Sequence, residues 1–564
     1  MVIFWMKFVC ATLFAIISII LIIIVHLYKL YVDMYLQTHT RKKGNKTYRT
    51  VYLAESYRQD DKVKKRYIAN LSDCPDHIIT AIKNELTKPA TLLSSKISAV
   101  LFEQGKSYGG LFTVLQVCKR LGIEQALGKD IRQSGLALFQ IAARVLCQRS
   151  RNYAANEWLP LIAGEELLHL DSFNEDTLYH NLDWLCDNQE KIEKKIFRFR
   201  NKNAPAKIVY LYDVTSSYFE GTQNELAAFG YNRDKKKGKM QIVVGLLCDE
   251  KGYPISVQVF KGNTQDTATI SDQLQKLQKT YGLEQVVMVG DRGMIKSAAI
   301  DEMLELKWHY ITAITKPQIE QLLKENIFQL SLFDEKLVEI EQEEVRYLLR
   351  RNPTRMEEIA NNRKSKLEKI KSFALQKTNY LSQHPKASVA KALKAVQDKA
   401  IQLKVSTLLE IKCPKRKIVV LKIKSKIAEA KKLDGCYVLK SCVPKSMAPK
   451  EELHSRYKDL TMVELAFRTM KQSFEEMQPI YVRKEKRTRG HVFICMMAYM
   501  IMKYIWDECK VLGISQAAIL ENLNNIHYLQ YTVEKTTIKR LPDTLNETQT
   551  KIINQLKLKL SNFL

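Results

Sequence analysis

Three acidic residues indicate which chemistry this chain could perform. Asp213 closes the apolar run IVYLYD, Asp291 closes QVVMVGD, and Glu464 lies in the helical stretch YKDLTMVELAFRTMK. Two acids at strand ends and one on a helix can converge on divalent cations, and Mg²⁺ prefers carboxylate oxygens as ligands. Two such ions about 4 Å apart assist in-line attack on a phosphodiester. We therefore expect Asp213, Asp291 and Glu464 to be both the catalytic residues and the metal ligands.

The stretch around Glu464 carries other polar residues at helical spacing. Tyr457, Glu464 and Lys471 are seven residues apart, so on one helix they drift by only about 20° per step. At 1.5 Å per residue they span roughly 21 Å. Arg468 extends the same face, which would present a hydroxyl, a metal ligand and cations along a phosphate backbone. The residues expected to anchor this helix to the core are Leu465, Phe467 and Met470.

The elements that must position these acids alternate between strand and helix patterns. From 205 to 316 the order is strand, hairpin, helix, strand, helix, strand, as in a ribonuclease-H-like α/β catalytic core. The helix that carries Glu464 comes late, because a charged and largely helical stretch at 317–432 intervenes. That stretch is typical of a solvated insertion or a coiled pair. Residues 433–510 would then complete the core with the catalytic helix and a basic loop.

The flanking segments have other patterns. Residues 34–70 predict a small basic hairpin, and the helical periodicity from about 76 to 200 predicts an α-helical N-terminal region. Together, 34–200 would form a DNA-binding region, with a plain helical bundle as the alternative reading of the helices. Residues 201–206 are a candidate linker, and 511–564 are expected to form a C-terminal helical tail.

The charge balance favours a polyanionic partner. The 564 residues include 89 Lys and Arg against 61 Asp and Glu, a formal charge of +28. Nucleic acid is the first partner to expect and an anionic membrane the second. The alternative is that lysine is frequent because the genome is AT-rich. The 11 cysteines are dispersed without zinc-ligand spacing, which indicates reduced cytosolic thiols and excludes a disulfide framework.

The N-terminal run needs a separate explanation. Residues 8–25 form an uncharged stretch of 18 residues, long enough for a membrane helix. The residues from Met34 onward resemble an ordinary soluble N-terminus, so we favour a start site assigned too early over a membrane anchor at 1–33. On that interpretation the protein is cytoplasmic, with no membrane partner.

Four segments together resemble a known family. LYDVTSSYFEG, GLLCDEKGYPISVQVFKGNTQD, VMVGDRGM and YKDLTMVELAFRTMK are similar to DDE transposases of bacterial insertion sequences, within the insertion-sequence-four superfamily and its Y-x2-R-x3-E-x6-K helix. The resemblance runs from about Met34 to beyond His491. It implies that Asp213, Asp291 and Glu464 hold two catalytic Mg²⁺ ions, for which Mn²⁺ is expected to substitute.

The resemblance also assigns contacts to DNA. It implies that Tyr457 and Lys471 contact DNA near the cut. Leu460 occupies the signature's arginine position, and Arg468 is our candidate substitute.

Other basic residues are expected to touch the phosphate backbone. Arg292 would contact the scissile phosphate or form a structural salt bridge. The segment after the helix is read as one basic loop that binds several phosphates, with Arg483, Lys484, Lys486, Arg487 and Arg489. The segment 231–239 is a weaker candidate. Asp266 and Asn263 are expected to cap the following helix, and Asp234 to be a turn residue.

The expected activity follows from this resemblance. It implies a cut-and-paste DNA transposase that hydrolyses element ends, forms a hairpin there and joins the ends to target DNA. Its partners would be double-stranded terminal inverted repeats and target DNA, bound by a homodimer, with no small-molecule substrate. Two alternatives remain at this point: a ribonuclease-H-like structure-specific nuclease, and an inactive DNA-binding relic.

Overall fold

A computed structural model describes residues 34–560, apart from 44–45, 60–61, 73, 75, 88–99, 203–208, 232, 235, 335, 473–480, 534–535 and 543. The apolar run at 8–25 and most of the candidate linker at 201–206 lie outside the described residues. None of the described helices is both long and apolar enough to span a bilayer. The described cysteines are free thiols. The described residues fall into two compact units, one of 34–105 with 528–542 and one of 106–527 with 544–560.

The first unit contains two small sheets. Strands β1 (Met34–Lys43), β2 (Lys46–Gln59) and β3 (Lys62–Asn70) form an antiparallel meander in that order, followed by helix α1 (Asp76–Thr87). The predicted basic hairpin therefore has a third strand. Strand β4 (Val100–Ser107) joins β15 (His527–Val533) and β16 (Thr536–Arg540) in a second sheet. The predicted helical tail at 511–564 thus includes a β-hairpin, and β4 interrupts the predicted run of helices.

The second unit begins with a group of helices. The helices are α2 (Gly109–Arg120), α3 (Ile123–Leu127), α4 (Ile131–Ala142), α5 (Arg151–Tyr153), α6 (Gly164–Leu168) and α7 (Glu175–Asn201). Side-chain caps set two of their starts: Asp130 accepts a hydrogen bond from the Gln133 backbone N–H, and Asn174 accepts one from that of Thr177. Such caps satisfy backbone N–H groups that the first turn leaves without a partner.

An eight-stranded mixed sheet forms the centre of the second unit. Its order is β10-β11-β14-β9-β8-β5-β6-β7. The strands are β5 (Val209–Tyr218), β6 (Gln241–Asp249), β7 (Pro254–Lys261), β8 (Val287–Gly290), β9 (His309–Ala313), β10 (Val338–Gln342), β11 (Val345–Arg351) and β14 (Cys436–Ser441). Strand β5 is antiparallel to β6 and parallel to β8, which is parallel to β9.

The part of this sheet that runs from β7 to β9 agrees with the predicted core. A three-stranded antiparallel unit is followed by two parallel strands, and helices α8 (Asp266–Gln275) and α9 (Ser297–Glu305) connect them. One buried cluster joins sheet and helices, with Tyr212 from β5, Val243 from β6, Ile270 from α8 and Met303 from α9. Strands β10 and β11 lie within the predicted insertion at 317–432, yet they extend the sheet beside β14.

The inserted stretch has a hydrophobic core of its own. After α10 (Lys316–Lys324), β10 and β11 come helices α11 (Pro353–Gln383) and α12 (Val389–Gln402), the hairpin of β12 (Leu409–Lys412) and β13 (Val419–Lys422), and α13 (Lys424–Lys432). Ile370 of α11, Val396 of α12 and Leu409 of β12 are buried together. Residues 353–432, named here the insertion subdomain, are therefore more than a solvated coiled pair.

The last helices complete the second unit. They are α14 (Lys450–Lys458), α15 (Leu460–Gln472), α16 (Glu485–Cys509), α17 (Gln516–Asn524) and α18 (Glu547–Gln555). Helix α16 is almost wholly buried from Gly490 to Met502. The helix predicted around Glu464 is divided at Asp459, so Tyr457 belongs to α14 whereas Glu464 and Lys471 belong to α15.

Replacement of the buried residue Arg346 tests which contacts hold strands β10 and β11 in place. On β11, Arg346 pairs with Glu339 of β10 at 2.7 Å and donates to the backbone carbonyls of Val443 and Ala448. Replacing Arg346 with Ala would leave Glu339 and both carbonyls without this donor, so we expect a loss of roughly 3 kcal/mol. Calorimetry should show a lower Tm. The matched control Arg355→Ala removes an exposed ion pair and should change Tm little; equal effects would contradict this account.

Candidate active site

The register between β5 and β8 brings two of the predicted acids together. The parallel pairing ends with Tyr212 beside Gly290. Asp213 is the next residue of β5 and Asp291 the next residue after β8, so both lie at the same edge of that ladder. Asp213 was predicted to end its strand, and this is wrong, because β5 continues to Tyr218 in pairing with β6. Asp291 does follow its strand directly.

The third acid, Glu464, lies on helix α15. This helix packs on β5, and its Val463, Ala466 and Met470 are buried. Glu464 is on the exposed side. Phe467 and Met470 are buried as predicted, but Leu465 is 46% exposed and does not anchor the helix. The helical period therefore identified the buried face only in part.

One cavity of about 560 Å³ collects the three acids. Its other lining residues include three cations and two further carboxylates. The full set is Asp213, Val214, Thr215, Arg233, Asp234, Asp266, Asp291, Met294, Glu464, Phe467, Arg468 and Lys471. The structure therefore brings together Asp213, Asp291, Glu464, Arg468 and Lys471 from the predicted site.

Electrostatics in this cavity shift the ionisation of Asp213. The pKa of Asp213 is raised to about 7, and burial is the largest cause. The negative charges of Asp291 and Glu464 also raise this pKa, whereas the Val214 N–H at 2.8 Å and the positive charge of Arg233 lower it. The three acids are thus electrostatically coupled as well as adjacent.

Lys471 is held by groups that lie around the end of β5. Its Nζ lies 2.8 Å from Oδ1 of Asp234 and also donates to the Ser216 carbonyl. Burial lowers the pKa of Lys471, against the opposing effect of Asp234. Asp234 does sit in a turn, as predicted, but the ion pair gives it a second role that its sequence position did not reveal.

A second ion pair in the cavity was missed by the sequence analysis. A single guanidinium nitrogen of Arg233, Nη2, lies 2.6 Å from both carboxylate oxygens of Asp266, and the pair is charge-assisted. Its backbone N–H donates to the Ser216 hydroxyl. The expectation that Asp266 caps α8 is wrong. Gln265 occupies the N-cap position and makes no side-chain cap.

Tyr457 and Arg292 lie close to the acids although they are not among the cavity-lining residues. Burial raises the pKa of Tyr457, and Asp291, Glu464 and Asp213 raise it further, while Arg292 lowers it. Tyr457 therefore remains next to the site despite the division of the helix at Asp459. Arg292 is exposed, and its backbone N–H donates to Oδ1 of Asp291.

The predicted basic loop is only partly a loop. Arg483 is exposed before α16, and Lys484 is exposed at its N-cap, whereas Lys486, Arg487 and Arg489 lie in the first turns of the helix. Arg487 pairs with Asp183 and lies over the Tyr179 ring. Arg489 pairs with Glu485 and donates to the Val259 carbonyl, and Lys486 pairs with Asp187.

The donor chemistry of the site suits a divalent cation. Asp213, Asp291 and Glu464 offer only carboxylate oxygens, the ligands that Mg²⁺ and Mn²⁺ accept. A cation would also relieve the repulsion that raises the pKa of Asp213. As the described side chains stand, no three His, Cys, Asp or Glu residues form a group that could already hold a metal ion. The three acids therefore suit a divalent cation through the type of their donor atoms and through the cavity that they share.

Two family models identify the class of protein to which this chain belongs. Residues 204–501 match the transposase DDE domain, and residues 36–91 match the N-terminal domain of IS1634 family transposases. The first match spans more than half of the chain, which therefore belongs to the DDE transposases. Members of this family are metal-dependent enzymes that cleave DNA and transfer its strands.

Two solved structures have detectable similarity to the chain. A piggyBac transposase synaptic complex with hairpin DNA has a TM-score of 0.35 and 9% identity, over 69% of each chain. A Mos1 transposase paired-end complex with the left transposon end has a TM-score of 0.15 and 13% identity, over 26% of this chain and 52% of that one. No curated protein matched the sequence significantly.

The raised pKa of Asp213 predicts a pH-dependent stability in a chelating buffer. Its pKa rises from 3.8 to about 7, so between these values the folded state keeps a proton that the unfolded state releases. This contribution is fully present at low pH and is lost as the pH rises through about 7. Asn at this position does not titrate. The Tm of the wild type minus that of Asp213→Asn should fall between about pH 5 and about pH 8; a constant difference would be evidence against the shift.

Proposed function

We propose that this transposase cuts the ends of its insertion sequence and joins them to target DNA, with Asp213, Asp291 and Glu464 as ligands of two Mg²⁺ ions. The observation that carries the assignment is their convergence on one cavity from β5, the end of β8 and α15. When bound, the ions would activate the attacking oxygen and stabilise the leaving oxygen. Mn²⁺ has compatible ligand preferences and is expected to substitute.

The cations on the cavity wall would bind the DNA backbone around the cut. Arg468 is exposed and lines the cavity on the same helix as Glu464. Lys471 has three N–H donors, of which the Asp234 and Ser216 contacts use two, so one remains for a phosphate oxygen. Tyr457 and Arg292, next to the acids, would donate to neighbouring phosphates.

The residues around the start of α16 would bind DNA further from the cut. Arg483 and Lys484 are exposed and offer their charges directly. Arg487 and Arg489 would take part through the donors that their ion pairs leave unused, since a guanidinium has five. We expect Arg487 and Arg489 to contribute less than Arg483 and Lys484, because binding DNA competes with Asp183 and Glu485.

Membership of the insertion-sequence-four superfamily and a dimeric state are also part of this proposal. The spacing of Tyr457, Glu464 and Lys471 supports the superfamily, and the Leu460 position marks a branch of it. Two element ends must be held together before joining, so two copies of the chain are expected on DNA. The N-terminal region 34–200 would recognise the ends, and the insertion lies between the core strands and the catalytic helix.

The substitution Glu464→Gln tests the catalytic assignment. It keeps the size of the side chain but removes a negative ligand, so end cleavage in Mg²⁺ should fall roughly a thousandfold or more. Binding of an end duplex should be largely retained, as measured by gel shift. Glu451→Gln, on the exposed side of α14, is the matched control and should cut normally. Full cleavage by the Glu464 variant would refute the assignment.

A strand-transfer assay separates this proposal from a nuclease with the same core. Cleaved ends should appear joined to a supercoiled target plasmid when wild-type protein and Mg²⁺ are present, and Glu464→Gln should give no joints. Cleavage without joined products would favour a structure-specific nuclease.

The mass of the complex tests the dimer. Light scattering on protein mixed with end duplex should give two chains for two duplexes, because both ends are joined in one assembly. Joining of both ends by a complex that contains one chain and two duplexes would overturn the dimeric arrangement.

A further inference from the structure

The positive charge of the chain is concentrated in the insertion subdomain. Residues 353–432 hold 21 Lys and Arg against 6 Asp and Glu, a net charge of +15 within a chain of +28. Pairing neutralises few of these cations: Arg355 pairs with Glu358, Arg363 with Asp434 and Lys412 with Glu410. A folded unit with this excess carries a strong positive field, which favours a polyanion.

The buried core of the insertion subdomain fixes where these charges point. Leu367, Ile370 and Val396 are buried among α11, α12 and the β12–β13 hairpin, so the lysines between them on the helices face outward. The β12–β13 pairing runs from Leu409 opposite Lys422 to Lys412 opposite Val419. Residues 413–418 therefore form the turn of this hairpin.

That turn has an unusual composition for its backbone. The Lys417 N–H donates to the Pro414 carbonyl, and the two residues between them, Lys415 and Arg416, have φ of 46° and 64°. Two successive residues with positive φ match a type I′ turn, where Asn and Gly are preferred. Basic residues thus occupy a position that disfavours them conformationally, which points to a functional reason for their presence.

Arg416 ties the turn to the end of α11. Its guanidinium donates to the carbonyls of Leu381, His384 and Ala387 at 3.1–3.3 Å. His384 and Ala387 lie on either side of Lys386 in the sequence. Their hydrogen bonds with Arg416 therefore place the loop that carries Lys386 beside the turn. Lys386, Lys415 and Lys417 are all exposed, and none forms an ion pair within the described chain. We name these three lysines the tip cluster.

We propose that the tip cluster binds the phosphate backbone of duplex DNA and so extends the DNA contact beyond the catalytic cavity. The inference rests on the proposed function for its partner, but its geometry is independent of the three acids. The Nη2 group of Arg416 donates to the protein backbone and positions the cluster, while the three lysines are exposed to solvent. Phosphate contacts of this kind fix the position of DNA without reading its sequence.

A salt-titration of DNA binding tests the proposal. The full-length triple variant Lys386→Gln, Lys415→Gln, Lys417→Gln removes three phosphate contacts, so the slope of log K against log salt should become shallower by about 2.7. Near 0.1 M salt the affinity should fall on the order of a hundredfold. Fluorescence anisotropy in EDTA measures this without any cleavage, so failure of the Asp213, Asp291 and Glu464 assignment would not affect the result.

The control variant carries the same loss of charge elsewhere on the subdomain. Lys364, Lys369 and Lys371, each replaced by Gln, are exposed on α11 at least roughly 18 Å along the helix from its C-terminal end. Unchanged Tm values would show that both variants fold.

Two duplexes distinguish the source of the phosphates, one with the terminal repeat and one of shuffled sequence. A loss of affinity that occurs in the tip variant and not in the control variant supports the proposal. If the loss occurs on both duplexes, the tip cluster contacts DNA of any sequence. If it occurs on the terminal repeat alone, the tip cluster contacts the element end. An unchanged slope, or an equal loss in the control variant, would overturn the proposal.

Discussion

The backbone register between β5 and β8 is the constraint on which the site depends. Pairing of Tyr212 with Gly290 places Asp213 and Asp291 side by side where β8 ends. A slip by one residue would turn Asp213 to the opposite face of the sheet, because side chains alternate along a strand. The buried residues Tyr210 and Tyr212 and the apolar residues of β8 fix this register through the core. Hydrophobic packing thus holds two carboxylates together against their mutual repulsion.

Sequence patterns predicted what depends on local periodicity. The strand and helix order from β5 to β9 was confirmed, since buried strands and amphipathic helices have distinct spacing of apolar residues. The acids could be selected because each ends an apolar run or lies on a helix. Heptad spacing was less reliable: the division at Asp459 separates Tyr457 from Glu464, and Leu465 is exposed. A spacing rule assumes one straight helix and cannot detect a break within it.

Contacts between distant segments could not be predicted in this way. Arg233 with Asp266 and Lys471 with Asp234 are pairs separated by 33 and 237 residues, and no local pattern identifies such partners. Each pair places a carboxylate and a cation on the wall of the same cavity. Strands β10 and β11 were missed as part of the sheet for a similar reason, because the pairing of β11 with β14 joins residues nearly a hundred positions apart. These ion pairs and strand pairings depend on the tertiary fold and not on local secondary-structure propensity.

The distribution of charge bears on the two explanations offered for the basic composition. A genome-wide preference for lysine would raise the positive charge evenly, yet 80 of 564 residues carry +15 of the +28. The same 80 residues keep an ordinary hydrophobic core, so their excess is confined to the surface. Concentrated surface charge strengthens the local positive field, while the guanidinium of Arg416 keeps the tip in place. Composition bias explains neither the localisation nor the positive φ of Lys415, whereas binding of a phosphate backbone gives a reason for both.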